Sequence, residues 1–255
     1  MDALEQLSSV SDSSSIVRDV LTRAFPGKQL REQRAFTRAG MSPEELARLY
    51  ELVASVHPAD VLEVGMGHGT STVVILAALA GDAAAPGGLT SVDPFHTSRF
   101  EGMGQQVVQS MGYAARHRLL EKPDYVALPE LLTAGERFDV VLVDGYHSFD
   151  YTLVDIFYAD LLLRDGGTLV IHDSSWPAVF KALRFLESHK DYCRLSPPSF
   201  VRLDGVGAKA LRRLRVYASG AAQRRAFEER RTKWHTLAAY RKTSDQMAPE
   251  FDADF

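Results

Sequence analysis

The chain is predicted to fold as an α/β protein with a doubly wound, Rossmann-like parallel sheet, and three observations carry that prediction. Apolar strand-like runs alternate with helical patterns from residue 60 to about residue 190. Several of those runs have an acidic residue at or near their carboxyl end: Glu63 in Val61-Leu62-Glu63-Val64, Asp93 after Thr90-Ser91-Val92, Asp144 after Phe138 to Val143, and Asp173 after Thr168 to Ile171 and His172. The first run is followed by Gly65-Met66-Gly67-His68-Gly69-Thr70, a glycine turn that opens an apolar helix and brings bare backbone close to a ligand at the carboxyl edge of the sheet.

The elements follow in order. Asp12 to Ala24 places Ile16, Val17, Val20 and Leu21 at helical spacing, and Pro26-Gly27 breaks the pattern. Ser42-Pro43-Glu44-Glu45 is a helix start, with a capping hydroxyl, a proline in the first turn and two carboxylates at the positive helix end. Leu46, Leu49, Tyr50 and Val53 form its apolar face, and His57-Pro58 ends it. The segment Pro94 to Tyr113 is glycine-rich and reads as a lid over the ligand. Arg118 to Leu120 is a short third strand, Asp124 lies in the loop after it, and Pro129 starts the next helix. Phe138 to Val143 is the clearest buried strand, Phe149 to Leu163 a helix, and Thr168 to Ile171 a further strand. Trp176 to His189 reads as a helix, with Asp191 to Leu195 and Phe200 to Leu203 as closing strands. Ala221 to Arg241 reads as one basic, amphipathic helix whose arginines form a solvated face, followed by a loose acidic tail from Ser244 to Phe255. The organisation expected is a helical cap over residues 1–57, a ligand-binding core over 58–205 and a C-terminal helical extension over 206–255.

Composition narrows the class. With 255 residues and 45% apolar content the chain suits one α/β domain with appendages. No apolar run approaches the roughly 18 to 20 residues that span a bilayer, and the acidic, serine-rich start lacks the features of a secretory signal, so no membrane partner and a cytoplasmic location are expected. Cys193 is the only cysteine, which rules out a disulfide framework or a cysteine zinc site within one chain. A net charge of −4 argues against nucleic acid as a partner of the whole surface. A small molecule is the expected partner, and a homo-oligomer stays open.

The glycine turn is specific about its ligand. Thr70 stands where the dinucleotide pattern G-x-G-x-x-G needs its third glycine, which disfavours a nicotinamide or flavin dinucleotide. A carboxylate at Glu63 would repel a pyrophosphate and welcome an ammonium group. S-adenosylmethionine has an ammonium, a sulfonium and no phosphate, and Gly65, Gly67 and Gly69 would cradle it. Asp93 lies about 24 residues beyond Gly69, close to the roughly 20-residue spacing at which a carboxylate takes ribose hydroxyls. Asp144, His147, His172 and Asp173 should converge at the shared carboxyl edge. Asp144 and Asp173 are hard oxygen donors suited to a divalent ion, Mg²⁺ foremost, and coordination by His172 would bring transition metals into range. His147 is placed to act as a general base on a substrate hydroxyl.

Met41 to Glu45, Val61 to Thr72, Ser91-Val92-Asp93, Leu142 to His147 and Gly166 to Asp173 resemble, in that order, the class I S-adenosylmethionine-dependent methyltransferases. The nearest likeness is to the branch with catechol O-methyltransferase and the macrolide-sugar O-methyltransferases. The resemblance covers roughly Ser42 to Leu203 and implies a seven-stranded sheet with a reversed last strand and a divalent metal beside the transferred methyl group. It implies Glu63 at the cofactor's amino group, Ser71 at its carboxylate, Asp93 at the ribose and Asp124 at the adenine amine. Asp144 and Asp173 fall on metal-ligand positions and His147 on the base position. The chain departs from the pattern at Ser174, where the catechol enzymes have asparagine, and at His172-Asp173, where the sugar-modifying members have two adjacent acids. The activity expected is O-methylation of a small-molecule hydroxyl, a natural product with a sugar or aromatic ring. N- or RNA methylation on the same fold and a non-catalytic cofactor-binding protein are the rival readings.

Overall fold

The computed structural model describes residues 3–26, 40–81, 87–174, 176–195 and 237–247. Helices α1 (Ala3–Ala24) and α2 (Pro43–Val56) precede β1 (Asp60–Val64), α3 (Thr70–Gly81), β2 (Gly88–Val92), α4 (Met103–Ser110) and β3 (His117–Leu120). Then come α5 (Asp124–Thr133), β4 (Phe138–Val143), α6 (Phe149–Leu162), β5 (Leu163–Ile171), α7 (Pro177–His189), β6 (Lys190–Arg194) and β7 (Ala238–Met247). The strands form one seven-stranded sheet in the order β3-β2-β1-β4-β5-β7-β6. β7 runs antiparallel to both β5 and β6, while β1 to β5 pair in parallel.

Strand order reverses between β1 and β4, and an open parallel sheet offers its ligand crevice at such a point. Alternation along β1 sends Val61 and Glu63 to one face and Leu62 and Val64 to the other. On the first face Val61, Val140, Leu142 and Val170 pack under α1, α2 and α3. On the second, Leu62, Val64, Val141, Val143, Leu169 and Ile171 pack under α5, α6 and α7. Helix α3 is apolar nearly all round because it lies between the sheet and the two N-terminal helices. The start of α2 is fixed as the sequence implies: the Ser42 hydroxyl accepts from the Glu45 amide at 3.2 Å, and the Glu45 carboxylate accepts from the Ser42 amide at 2.7 Å.

Several expectations need correction. Residues 238–241 are strand rather than the end of a helix, and 244–247 continue that strand instead of starting a loose tail. The remainder of the basic helix, the strand at 200–203 and the tail from 248 onward lie outside the described residues. The segment expected as a glycine-rich lid contains α4, which starts after Gly102 in a left-handed conformation and buries Val107 and Val108. Helix α5 starts at Asp124, with Pro129 inside it rather than at its head. Among the described residues no helix is long and apolar enough to cross a membrane.

β7 joins β6 to the parallel strands, and Tyr240 anchors it with a fully buried ring and a hydroxyl that donates to Glu187 Oε1 at 2.8 Å. Tyr240→Ala is expected to cost about 3–5 kcal/mol of folding stability, the range for deleting a large buried aromatic side chain. Urea unfolding measures it; a loss under about 1 kcal/mol would mean that β7 is not integral to the sheet.

Candidate functional site

The sheet ladder continues past the strand ends and assembles one crevice. The Gly65 amide donates to Val92 O at 2.8 Å, Asp144 to Val64 O at 2.8 Å, Asp93 to Leu120 O at 3.1 Å and His172 to Val143 O at 3.0 Å. Gly65, Asp93, Asp144 and His172 therefore stand side by side at the carboxyl edge. A Cβ on Gly65 would lie 2.1 Å from Asp144 O, and one on Gly69 would lie 2.9 Å from Gly104 Cα, so both glycines are required by backbone contact. Gly67 differs: a Cβ there would meet only the Phe100 ring, at 3.9 Å. The space over Gly67, beside the amino end of α3, is where a ligand can approach bare backbone.

Asp93 clamps this loop. Its Oδ2 accepts from the amides of Met66 at 3.1 Å and Gly67 at 2.8 Å, and Oδ1 accepts from Phe95 at 2.8 Å. The spacing that suggested a ribose ligand thus also serves to shape the turn.

Glu63 does not face the crevice, which corrects its expected contact with an ammonium group. Its place on β1 aims it beneath the first turn of α3, where it is fully buried and accepts hydroxyl hydrogen bonds from Ser71 at 2.6 Å, Thr72 at 2.8 Å and Ser91 at 2.6 Å. Ser71, expected at the cofactor carboxylate, is buried and directs its hydroxyl to Glu63. Burial pushes the Glu63 carboxyl up to about 7 against the pull of these three donors, with Asp144 adding to the rise. Behind Ser91 stands His117, its Nε2 3.0 Å from the Ser91 hydroxyl and its pKa lowered to about 4, first by burial and then by His96.

Asp144, His147, His172 and Asp173 do come together, with an arrangement the sequence did not show. His147 Nε2 lies 3.3 Å from Asp173 Oδ2 and 3.9 Å from Asp144 Oδ1, and the Trp176 ring centroid is 5.3 Å from its own. Asp173 adopts a left-handed backbone (φ 51), a conformation that aspartate tolerates better than most residues, at the turn after β5 beside His147. His172 is buried, with Nδ1 2.8 Å from Asp144 Oδ1 and Nε2 3.7 Å from Glu45 Oε1. Burial alone would depress His172, but the Asp144 and Glu45 carboxylates outweigh it and raise its pKa well above the usual value. Asp173 is raised mainly by burial, against the opposing pull of His172 and His147.

These contacts bear on the expected metal. A histidine ligates a metal through an unprotonated ring nitrogen, and both ring nitrogens of His172 face carboxylates. Asp144 Oδ1 is committed to His172, and both aspartates flank His147. Among the described residues no group of three His, Cys, Asp or Glu side chains is arranged to hold a metal ion. The set Asp144, His172 and Asp173 therefore does not fit the expected role, because it is satisfied internally.

Asp124 is buried on the first turn of α5, its Oδ1 accepting from the Tyr125 amide at 2.7 Å. Two residues were overlooked in the sequence. Glu45 was read as a helix-capping charge only, and no local signal marks its contact with His172. Asp155 is buried on α6; burial, then Asp124, raises its pKa well above the usual value. Its distance along α6 from the turn at Asp144 was the available clue. His68 packs edge-on against Phe100, and His96 is buried near Gly104.

Residues 62–174, a little under half of the chain, match the model of a family described as a methyltransferase domain. That segment is similar to a methyltransferase domain. The chain shares its fold with an O-methyltransferase from Bacillus cereus in complex with SAH, at 16% identity over 71% of this chain and 84% of that one, TM-score 0.54. It also resembles the O-methyltransferase TomG from Streptomyces achromogenes, involved in tomaymycin synthesis and solved with SAM, at 19% identity over 76% and 82%, TM-score 0.52. SAH-bound PaMTH1 from Podospora anserina matches at 16% identity over 75% and 84%, TM-score 0.53. No curated protein sequence matches the chain.

Glu63 gives the site a pH signature. Its folded pKa, about 7, lies above the ordinary 4.5, so the stability contributed by its protonated form is complete below about pH 4.5 and is lost as pH rises through about 7. The full swing is about 3 kcal/mol. Glu63→Gln, which stays neutral, should gain stability relative to wild type by that order between pH 5 and pH 8 in urea unfolding. A pH-independent difference would show that Glu63 keeps one charge state throughout.

Proposed function

We propose that this protein is an S-adenosylmethionine-dependent methyltransferase that transfers the cofactor's methyl group to a hydroxyl oxygen of a small ring-bearing molecule, with His147 as the general base. The observation that carries the reading is the His147–Asp173 pair, set at the same sheet edge as the glycine turn. The adenosyl portion would lie over Gly65 to Gly69, with Asp93 using its remaining acceptor capacity on the ribose and Asp124 receiving the adenine amine. The amino end of α3 would attract the cofactor's carboxylate through backbone N–H groups. This replaces the Ser71 hydroxyl in that role.

The reaction is an in-line displacement. The acceptor oxygen forms a bond to the methyl carbon, the carbon–sulfur bond breaks, and the sulfonium becomes a neutral thioether. The hydroxyl proton goes to His147. When Nε2–H donates to Asp173, the other ring nitrogen is the basic one, and the carboxylate stabilises the imidazolium that forms. Most of the rate comes from holding the acceptor in near-attack geometry, and a closed crevice contributes chiefly to that. Exposed Trp176 and Tyr146 beside His147 offer flat apolar surface against which a sugar or aromatic ring can lie. Natural-product acceptors of that kind agree with the arrangement.

The test is transfer of labelled methyl from S-adenosylmethionine to a panel of hydroxylated sugars and phenols. His147→Ala should slow transfer by about 10²- to 10⁴-fold, the usual range for general acid–base catalysis, and leave cofactor affinity unchanged in calorimetry. Full activity of that variant at every pH would remove His147 from the mechanism, and methyl transfer to ring nitrogens alone would displace the O-methyl reading.

A further inference from the structure

The pair that would move the proton leaves one feature unexplained: α2, a helix outside the sheet, sends a buried carboxylate into the same cluster. Glu45 Oε2 completes the helix cap, while Oε1 is buried without a hydrogen-bond partner and lies 3.7 Å from His172 Nε2. The opposite nitrogen of the same ring is 2.8 Å from Asp144 Oδ1 and 3.8 Å from Asp173 Oδ2. Three carboxylates from three separate parts of the chain thus surround one imidazole. Carboxylates converging in a water-poor site repel one another unless a cation stands between them, and a divalent ion is the usual solution. Here a side chain occupies that place.

We infer that His172, bridged between Glu45 and Asp144, is the built-in counter-ion of the site, so that the chain binds no Mg²⁺ or Mn²⁺ there and Glu45 is a positioning residue for Asp144. A divalent ion would have to detach Asp144 from His172 and leave Glu45 facing an unpaired ring, both buried. The bridge also fixes α2 to the ends of β4 and β5, which makes that helix a structural part of the crevice. The inference rests on the methyl-transfer reading only in taking Asp144 and Asp173 as crevice residues, and metal binding is measured without any turnover.

Mn²⁺ and Mg²⁺ titrated calorimetrically into the full chain, with and without S-adenosylmethionine, should show no site with Kd below roughly 1 mM. His172→Asp removes the bridge and leaves four carboxylates, at positions 45, 144, 172 and 173, so that variant should acquire a Mn²⁺ site that a further Asp144→Asn abolishes. One Mn²⁺ bound per wild-type chain, lost in Asp144→Asn, overturns the inference. If His172→Asp does not fold, the wild-type titration decides alone. For Glu45, the ring-nitrogen NMR signals of His172 should shift in Glu45→Gln, which can still cap α2 through its amide oxygen. Unchanged signals would reduce Glu45 to a cap and overturn its positioning role.

Discussion

The contact between Gly65 and the backbone of Asp144 is the constraint on which the site depends. With no side chain at position 65, the ends of β1 and β4 come so close that a Cβ would stand 2.1 Å from a carbonyl oxygen. That closeness sets the glycine turn directly beside the segment Asp144 to His147. The turn cannot relax away, because Asp93 holds its amides from the β2 side and α3 begins immediately after it. A parallel sheet with a strand-order reversal offers a crevice in general; this contact brings the glycine turn and the segment Asp144 to His147 onto one wall of it.

The second theme is how the fold carries buried charge. Glu63 is placed beneath a helix start and given three hydroxyl donors; His172 is placed between carboxylates. Each arrangement costs desolvation and restores part of it through directed polar contacts. Asp155 is the contrast: both carboxyl oxygens are buried, its nearest charged neighbour is the Asp124 carboxylate, and burial favours its neutral form. Such groups do little for net stability. They tie down the turn at Asp144 and the amino end of α3.

Much of the fold was legible because parallel strands buried on both faces read as continuous apolar runs, and Phe138 to Val143 appears with the boundaries its sequence suggests. The acids at strand ends were legible for the same reason: they end the apolar run at the sheet's edge. Their directions were harder. Period-two alternation puts Glu63 on the face of Val61, under α3, and that inference from β1 alone would have removed it from the crevice. The Glu45–His172 contact spans most of the domain and is hidden by a complete local explanation, the helix cap. β7 was obscured because Ala238 to Arg241 continues a basic, helix-like pattern, while its strand state is imposed by pairing with β5 and β6. Pro129 misled because proline is read as a first-turn residue, whereas the start of α5 is set by the chain's exit from β3.

The most direct test of the account is a crystal structure of the full chain with S-adenosylhomocysteine. The account requires the adenosyl group over Gly65 to Gly69 and the thioether sulfur directed into the space beside His147 and Asp173. Ligand density elsewhere on the sheet, or a sulfur separated from His147 by the Asp144 backbone, would contradict it.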